Sequence, residues 1–330
     1  MLKDPFVSII IPLHWGVNPK KDLQFVKDLQ KYKNLRYKNY EIIIVSDRIV
    51  KFSSLGHIRD VIITHAKHFT SPAEKRDLAL KYAKGTLCAF IDDDAYPHPD
   101  WLKAAVVHFQ NPEIVAVGGP GLTPPEDTYW QKIGGYILES YFGSGAIQSR
   151  FHPKGIFFVK DQPAYNLLVK TSVLKNVSGW ESTFYGGEDT FLCIKLIKKG
   201  KILYSEKAKV FHHRRAFPFS HIKQIANVGL HRGYFFKAYP ETSRELIYTL
   251  PTVLTVGFFI GIAISIARQD MFMIAFLSLF FFAYTLGIMS SWVRGVNIFS
   301  SFIVSFGIVI THLTYGIFFI RGLLTPKLLH

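Results

Sequence analysis

Three consecutive carboxylates, Asp92, Asp93 and Asp94, follow the apolar run Thr86–Ile91. Carboxylates placed side by side repel one another, and a hard divalent cation is the usual compensation. Mg2+ takes one or two carboxylates and fills the rest of its shell with water and substrate phosphates, so the triplet points to a diphosphate ligand. The competing reading is an acidic, solvated turn or a helix N-cap; the apolar run leading into the triplet favours the cation. Glu188 and Asp189 follow Gly186 and Gly187. Glycines permit a tight turn and close ligand approach. The acidic pair either caps a helix or supplies a general base that takes a proton from an attacking hydroxyl. His212 and His213 precede Arg214 and Arg215. Imidazoles can ligate a divalent ion and arginines can neutralise phosphates, but the same cluster suits an anionic lipid surface. Asp47 is placed to accept hydrogen bonds from a nucleobase or ribose, or simply ends a strand in a turn. Arg76 either faces a phosphate or is a solvated helical charge.

These residues need elements to hold them. Val7–Ile11 is a β-branched run stopped by Pro12 and predicts a buried strand. Glu41–Val45 is a second, Val61–Thr64 a third, and Thr86–Ile91 a fourth. A lysine-rich surface helix is expected within residues 19–38. Ser71-Pro72-Ala73-Glu74 opens another helix that runs to about Ala83, with Pro just inside and Glu in the first turn. Strands alternating with helices predict a mainly parallel α/β sheet. Ligands of such sheets bind at the carboxyl ends of strands, where Asp47 and Asp92–Asp94 fall. Further on, Val117–Gly121 reads as a turn and residues 121–165 as long loops. Asn166–Lys170 reads as a strand, Thr190–Lys199 as a helix, and Lys209–Phe211 as an edge strand.

The remainder is of a different character. From Leu246 to His330 the charged residues are Arg268, Asp270, Arg294, Arg321 and Lys327. Spans at about 246–267, 271–290 and 298–320 reach the roughly 20 apolar residues that a helix needs to cross a bilayer. Before them, residues 221–245 mix apolar and basic side chains and suit a helix lying in the membrane interface. The expected organisation is a catalytic domain over 1–220, a juxtamembrane segment over 221–245 and membrane helices over 246–330. The net charge is +15. Without zinc-finger spacing or an RNA-recognition signature, anionic lipid and a phosphorylated ligand account for it better than nucleic acid. Cys88 and Cys193 read as buried thiols. No secretory signal opens the chain, so the N-terminal part is expected on the cytosolic face.

Taken in order along the chain, these pieces resemble family 2 glycosyltransferases of the GT-A fold. The matching stretches are Val7–Pro12, Glu41–Asp47, Ala73–Asp77, Phe90–Asp94 with Pro99–Leu102, and Gly179-Trp180 through Gly186–Asp189 to Val210–His212. They cover about residues 5–215. The resemblance implies a GT-A nucleotide-sugar-binding sheet flanked by helices, followed by about three transmembrane helices. It implies donor contacts from Pro12, Asp47, Arg76, Asp92 and Asp93. Asp92 and Asp94 are then the outer members of a DXD motif. Asp94 is the direct ligand of Mn2+ or Mg2+, with His212 as a further ligand and His213 as its stand-in. Asp189 becomes the catalytic base, with Glu188 beside it. Gly187, Trp180, Arg214 and Arg215 become candidates for the acceptor side. The implied reaction is inverting transfer of one sugar from a UDP- or GDP-sugar to a hydroxyl of a lipid-linked or other membrane glycan. No Gln-x-x-Arg-Trp follows the basic cluster, the mark of processive members. Two rivals share the fold: a polyprenyl-phosphate sugar synthase, and a membrane protein that binds nucleotide-sugar without turnover.

Overall fold

A computed structural model describes residues 4–50, 61–65, 71–182, 186–269, 271–290, 292 and 296–328. The chain divides into two compact units. One comprises Met1–Pro124 and Ser149–His213; the other comprises Pro125–Gln148 and Arg214–Leu329.

The first unit is built on the β-branched runs. Its strands are β1 (Val7–Leu13), β2 (Tyr40–Ser46), β3 (Val61–His65), β4 (Leu87–Phe90), β5 (Ala95–Pro97), β6 (Ile114–Gly118), β7 (Gly121–Leu122), β8 (Ile156–Val159), β9 (Leu167–Lys170), β10 (Lys201–Ser205) and β11 (Val210–His212). Eight of them form one sheet in the order β3-β2-β1-β4-β9-β6-β10-β8. β3, β2, β1 and β4 run parallel, as do β6 and β10. β9 and β8 run against their neighbours, so the sheet is mixed. Ile9, Ile11, Ile42, Ile44 and Ala89 face one buried cluster, while Ile10, Ile43, Cys88 and Phe90 face another. A sheet covered on both faces explains why its strands read as unbroken apolar runs.

Helix α1 (Pro19–Gln30) starts at Asn18, whose side chain accepts from the amides of Lys20 and Lys21. Helix α2 (Pro72–Leu80) starts at a capping box between Ser71 and Glu74. Such caps satisfy amides that have no partner within the helix. Helices α3 (Trp101–Val106), α6 (Thr171–Asn176) and α7 (Glu188–Ile197) complete this unit.

The second unit holds α4 (Tyr129–Glu139), α5 (Tyr141–Ser144), α8 (Phe219–Ala238), α9 (Pro240–Ser243), α10 (Leu246–Arg268), α11 (Met271–Ser290) and α12 (Ile298–Leu324). The last three are long and apolar enough to cross a membrane. α8 and α12 approach closely: a Cβ added at Gly233 would lie 2.0 Å from the Phe319 carbonyl oxygen. Ile133 and Ile137 of α4 pack with Phe217, Ile288, Val304 and Ile308.

Three expectations are corrected. Residues 121–165 are not simply long loops, because α4, α5 and β8 lie there. Gly134 and Gly135 mask α4, yet its start is a capping box of Thr128 and Gln131 and its Ile133 and Ile137 are buried. Val117 and Gly118 end β6 rather than forming a turn, since β6 pairs with both β9 and β10. β11 is not at an edge. It is the middle of a three-stranded sheet, antiparallel to β5 and parallel to β7.

Candidate active site

Asp92, Asp93 and Asp94 leave the carboxyl end of β4 and lead into β5. β5 pairs with β11 so that His212 stands opposite Ala95. The His213 amide donates to the Asp94 carbonyl at 2.9 Å. This pairing brings His212 Nε2 to 3.0 Å from Asp94 Oδ1. The His212 ring also lies against Tyr165, with ring centroids 4.5 Å apart. A carboxylate oxygen from each of Asp92 and Asp94 and a ring nitrogen of His212 lie within 4.8 Å of one another. His213 points elsewhere, with Nε2 3.0 Å from Asp28 Oδ2.

The donor set is two carboxylates and one imidazole. Mn2+ accepts oxygen ligands readily, and its sites admit a nitrogen; Mg2+ is harder and prefers oxygen alone. Electrostatics also fit a cation here. Burial raises the Asp92 carboxyl above its usual range; Arg76 opposes that, and Asp94 adds to it. Burial, then Asp94, pushes Asp93 up to about 7. The triplet is thus short of positive charge, and the residues present suit a hard divalent ion.

Arg76 of α2 is buried. It donates to Asp92 Oδ1 at 2.7 Å and to Glu188 Oε1 at 3.3 Å. Its guanidinium lies over the Trp180 ring, 4.5 Å from the centroid. Burial would lower its pKa, but Asp92, Glu188 and Asp189 outweigh that and raise it. Glu188 also accepts the Gly186 amide at 2.9 Å through its other oxygen. Asp189 is less buried and accepts the Thr190 amide at 2.8 Å. Gly186 and Gly187 have φ of 100° and 89°, which a side chain would strain, and Gly187 is the N-cap of α7.

Asp47 follows β2. Its carboxylate accepts the Trp15 amide at 3.0 Å, contacts the His14 ring and lies 3.6 Å from Lys75 Nζ. Burial alone would raise its pKa, yet the Trp15 amide, Lys75 and His14 together hold it below the usual value. The His14 amide donates to Asp93 at 2.9 Å. The loop after β1 therefore ties Asp47 to Asp93. Lys75 anchors that loop by donating to the Leu13 carbonyl at 2.7 Å. His14, Trp15 and Lys75 are additions to the expected site residues. Their signal in the sequence is weak because Trp15, and His14 towards Asp93, act through backbone amides, which nearly any residue type supplies. Pro12 is buried within β1, paired with Val45.

Trp180 needs correction as an acceptor contact. Its side chain is fully buried, edge-on to Phe90 at 5.0 Å. It packs the core beneath Arg76. The segment is fixed by Asp77, whose carboxylate accepts the amides of Trp180 and Glu181 at 2.7 and 3.0 Å. Arg214 and Arg215 belong to the second unit, where Arg214 is buried and its amide donates to Asp127 at 3.0 Å.

Residues 8–167 match the profile of Glycosyl transferase family 2. The chain carries a family 2 glycosyltransferase domain. A pre-mycofactocin glycosyltransferase of Mycobacterium tuberculosis is 27% identical over 158 residues, 47% of this chain and 33% of that protein. A glucosyl-dolichyl phosphate glucuronosyltransferase of Haloferax volcanii is 25% identical over 167 residues, 48% of this chain and 52% of that protein. The chain thus spans only about a third to a half of these relatives' lengths. Among solved structures, a mannosyltransferase from Pyrobaculum calidifontis, in complex with GDP-Man and Mn2+, superposes with a TM-score of 0.64. That likeness covers 98% of this chain and 88% of the other at 14% identity. It shows the fold: a GT-A sheet followed by long apolar helices.

Proposed function

We propose that this chain is an inverting, metal-dependent glycosyltransferase. It moves one sugar from a UDP- or GDP-sugar to a hydroxyl of a membrane-bound glycan, most simply one carried on a polyprenyl diphosphate. The observation that carries the reading is the linked pair of acidic centres. Asp92, Asp94 and His212 converge within 4.8 Å, and Arg76 joins Asp92 to Glu188, the neighbour of Asp189. A Mn2+ or Mg2+ ion held by Asp94, Asp92 and His212 would neutralise the departing nucleoside diphosphate. Asp47 and Asp93, tied together by the His14-Trp15 loop, suit the nucleoside and donor-sugar side. Pro12 lies one residue before the end of the buried strand that leads into this loop.

Asp189 takes the proton from the acceptor hydroxyl. The hydroxyl oxygen bonds to the anomeric carbon as the bond to the diphosphate oxygen breaks on the opposite face. One in-line displacement inverts the centre. Glu188 is committed to Arg76 and to the Gly186 amide, so it positions the α7 N-terminus. Gly187 leaves room for the acceptor there, while Arg214 and Arg215 serve the membrane-side acceptor or its phosphates. Residues 1–220 supply the chemistry, 246–330 the anchor, and 221–245 a collar against anionic lipid. The basic residues of that collar support a cytosolic catalytic part. The Haloferax relative, named for a glucosyl-dolichyl phosphate, supports a lipid-linked acceptor.

Reconstituted protein assayed with nucleotide-sugars and lipid-linked acceptors tests this. Asp94→Ala should remove metal-stimulated turnover. Asp189→Asn should cost about 10²–10⁴-fold in transfer, the contribution of a general base, while donor-induced thermal stabilisation persists. Unchanged turnover and metal dependence in Asp94→Ala would sink the site. A mere dent in Asp189→Asn would favour a polyprenyl-phosphate acceptor, which is already ionised.

A further inference from the structure

β8 is an edge strand of the large sheet, paired on one side with β10. Strand edges in soluble proteins are normally short, charged or covered. β8 is short, but Ile156, Phe157 and Phe158 are 55%, 38% and 54% exposed. Among the described residues of the first unit, nowhere else are three consecutive large apolar side chains exposed. Exposed lysines stand at both ends of the strand. The antiparallel register sets Val159 opposite Ile202 and Ile156 opposite Ser205. Lys160 and Lys201 therefore fall at one end, and Lys154 and Lys207 at the other. Of the nearby acidic groups, Glu113 pairs with Lys201, the buried Asp161 pairs with Arg150, and Glu206 accepts the Gly155 amide.

We propose that β8 and its flanking lysines form a second membrane contact, resting at the headgroup level of an anionic bilayer. Aromatic side chains favour the membrane interface, and each lysine near an anionic surface adds attraction. Charge complementarity selects this occupant over a second copy of the chain. Antiparallel pairing of two β8 strands across a two-fold axis would set Lys154 of each copy near Lys160 of the other, like charges facing. The open strand edge limits the depth. Among the described residues β8 pairs with β10 alone, and backbone groups on its other edge need water or headgroup partners, so the strand lies shallow and does not enter the hydrocarbon. This surface is independent of the apolar helices and of the transferase reading. It would keep the edge of the sheet against the bilayer surface.

The test uses the full chain in vesicles of phosphatidylcholine with phosphatidylglycerol. Cys88 and Cys193 are buried, so a polarity-sensitive fluorophore can be placed on Phe158→Cys. Ile156→Cys, two residues away on the same face, is the second variant should the first be poorly folded. Nitroxide at a shallow lipid position should quench the probe, and aqueous iodide should not. Combining Lys154→Glu with Lys160→Glu, or omitting phosphatidylglycerol, should reduce lipid quenching about fivefold or more, the scale expected for losing one or more near-surface charges. A probe that iodide reaches and lipid nitroxide does not would overturn the proposal. A probe shielded from both, with a disulfide-linked dimer formed by the unlabelled variant, would overturn it in favour of contact between two copies.

Discussion

Arg76 joins Asp92 to Glu188 and rests on the face of Trp180. Removing a buried cation leaves its carboxylates uncompensated, which typically costs about 3–5 kcal/mol. Arg76→Ala should therefore lower both thermal stability and turnover. Arg76→Lys keeps the charge but loses the planar fork that spans two carboxylates and stacks on indole. It should retain most of the stability and still lose turnover, as thermal unfolding and initial rates on the same preparations would show. Full turnover in Arg76→Lys would mean that charge alone matters at this position. At this scale the acidic triplet is legible in the sequence because three adjacent carboxylates after a buried apolar run repel one another and call for a cation. Trp180 is the opposite case: a tryptophan beside glycines suits a ligand-facing loop and a buried anchor equally. What distinguishes them is Asp77, which holds the Trp180 and Glu181 amides through tertiary contacts that no local pattern encodes.

Elements with strong local signals are readable in the sequence, and those defined by their partners are not. β1, β2 and β4 carry β-branched or apolar runs long enough to declare themselves. β11 has three residues and gains its central position only from β5 and β7, themselves three and two residues long. α8 has the composition of a helix at the bilayer surface. Whatever its depth, its buried stripe of Ile225, Gly229, Arg232, Gly233 and Phe235 includes the glycines pressed against α12. His221 of the same helix is buried, with Nε2 2.9 Å from the Thr311 hydroxyl of α12. Burial lowers its pKa from 6.5 to about 4. The folded state thus resists a proton that the unfolded state accepts. Above pH 6.5 both states are neutral and the group contributes no pH dependence; stability is lost as pH falls from 6.5 towards 4. The full effect is about 3 kcal/mol, because each tenfold difference in proton affinity between the two states is worth about 1.4 kcal/mol. Thermal unfolding in detergent at about pH 7.5 and about pH 5, on either side of the unfolded-state value, should show a drop that is smaller in His221→Gln. An identical drop in the variant would assign the pH dependence to other groups.

For the whole molecule, the order of domains along the chain differs from the division into compact units. The apolar tail is visible in the sequence as three long spans. Hidden in it is the fact that residues 125–148, which interrupt the sequence of the first unit, cluster with the tail. The bond between them is specific. Ile133 and Ile137 pack with Ile288, Val304 and Ile308, and His312 of α12 lies 2.7 Å from the Phe142 carbonyl oxygen. Truncation after Glu245, the obvious route to a soluble catalytic fragment, would remove α10, α11 and α12. It would strip the apolar faces of α4 and α8 in one step and leave a contiguous exposed patch, which marks an aggregation liability. We predict that this fragment aggregates without detergent even though every residue of the aspartate triplet, α7 and His212 is present. Size-exclusion chromatography of the fragment, with and without detergent, checks this. Replacing Ile133 and Ile137 by polar residues in the fragment should reduce the aggregation. A monodisperse, donor-binding fragment without such changes would mean that the helical unit holds α4 only weakly.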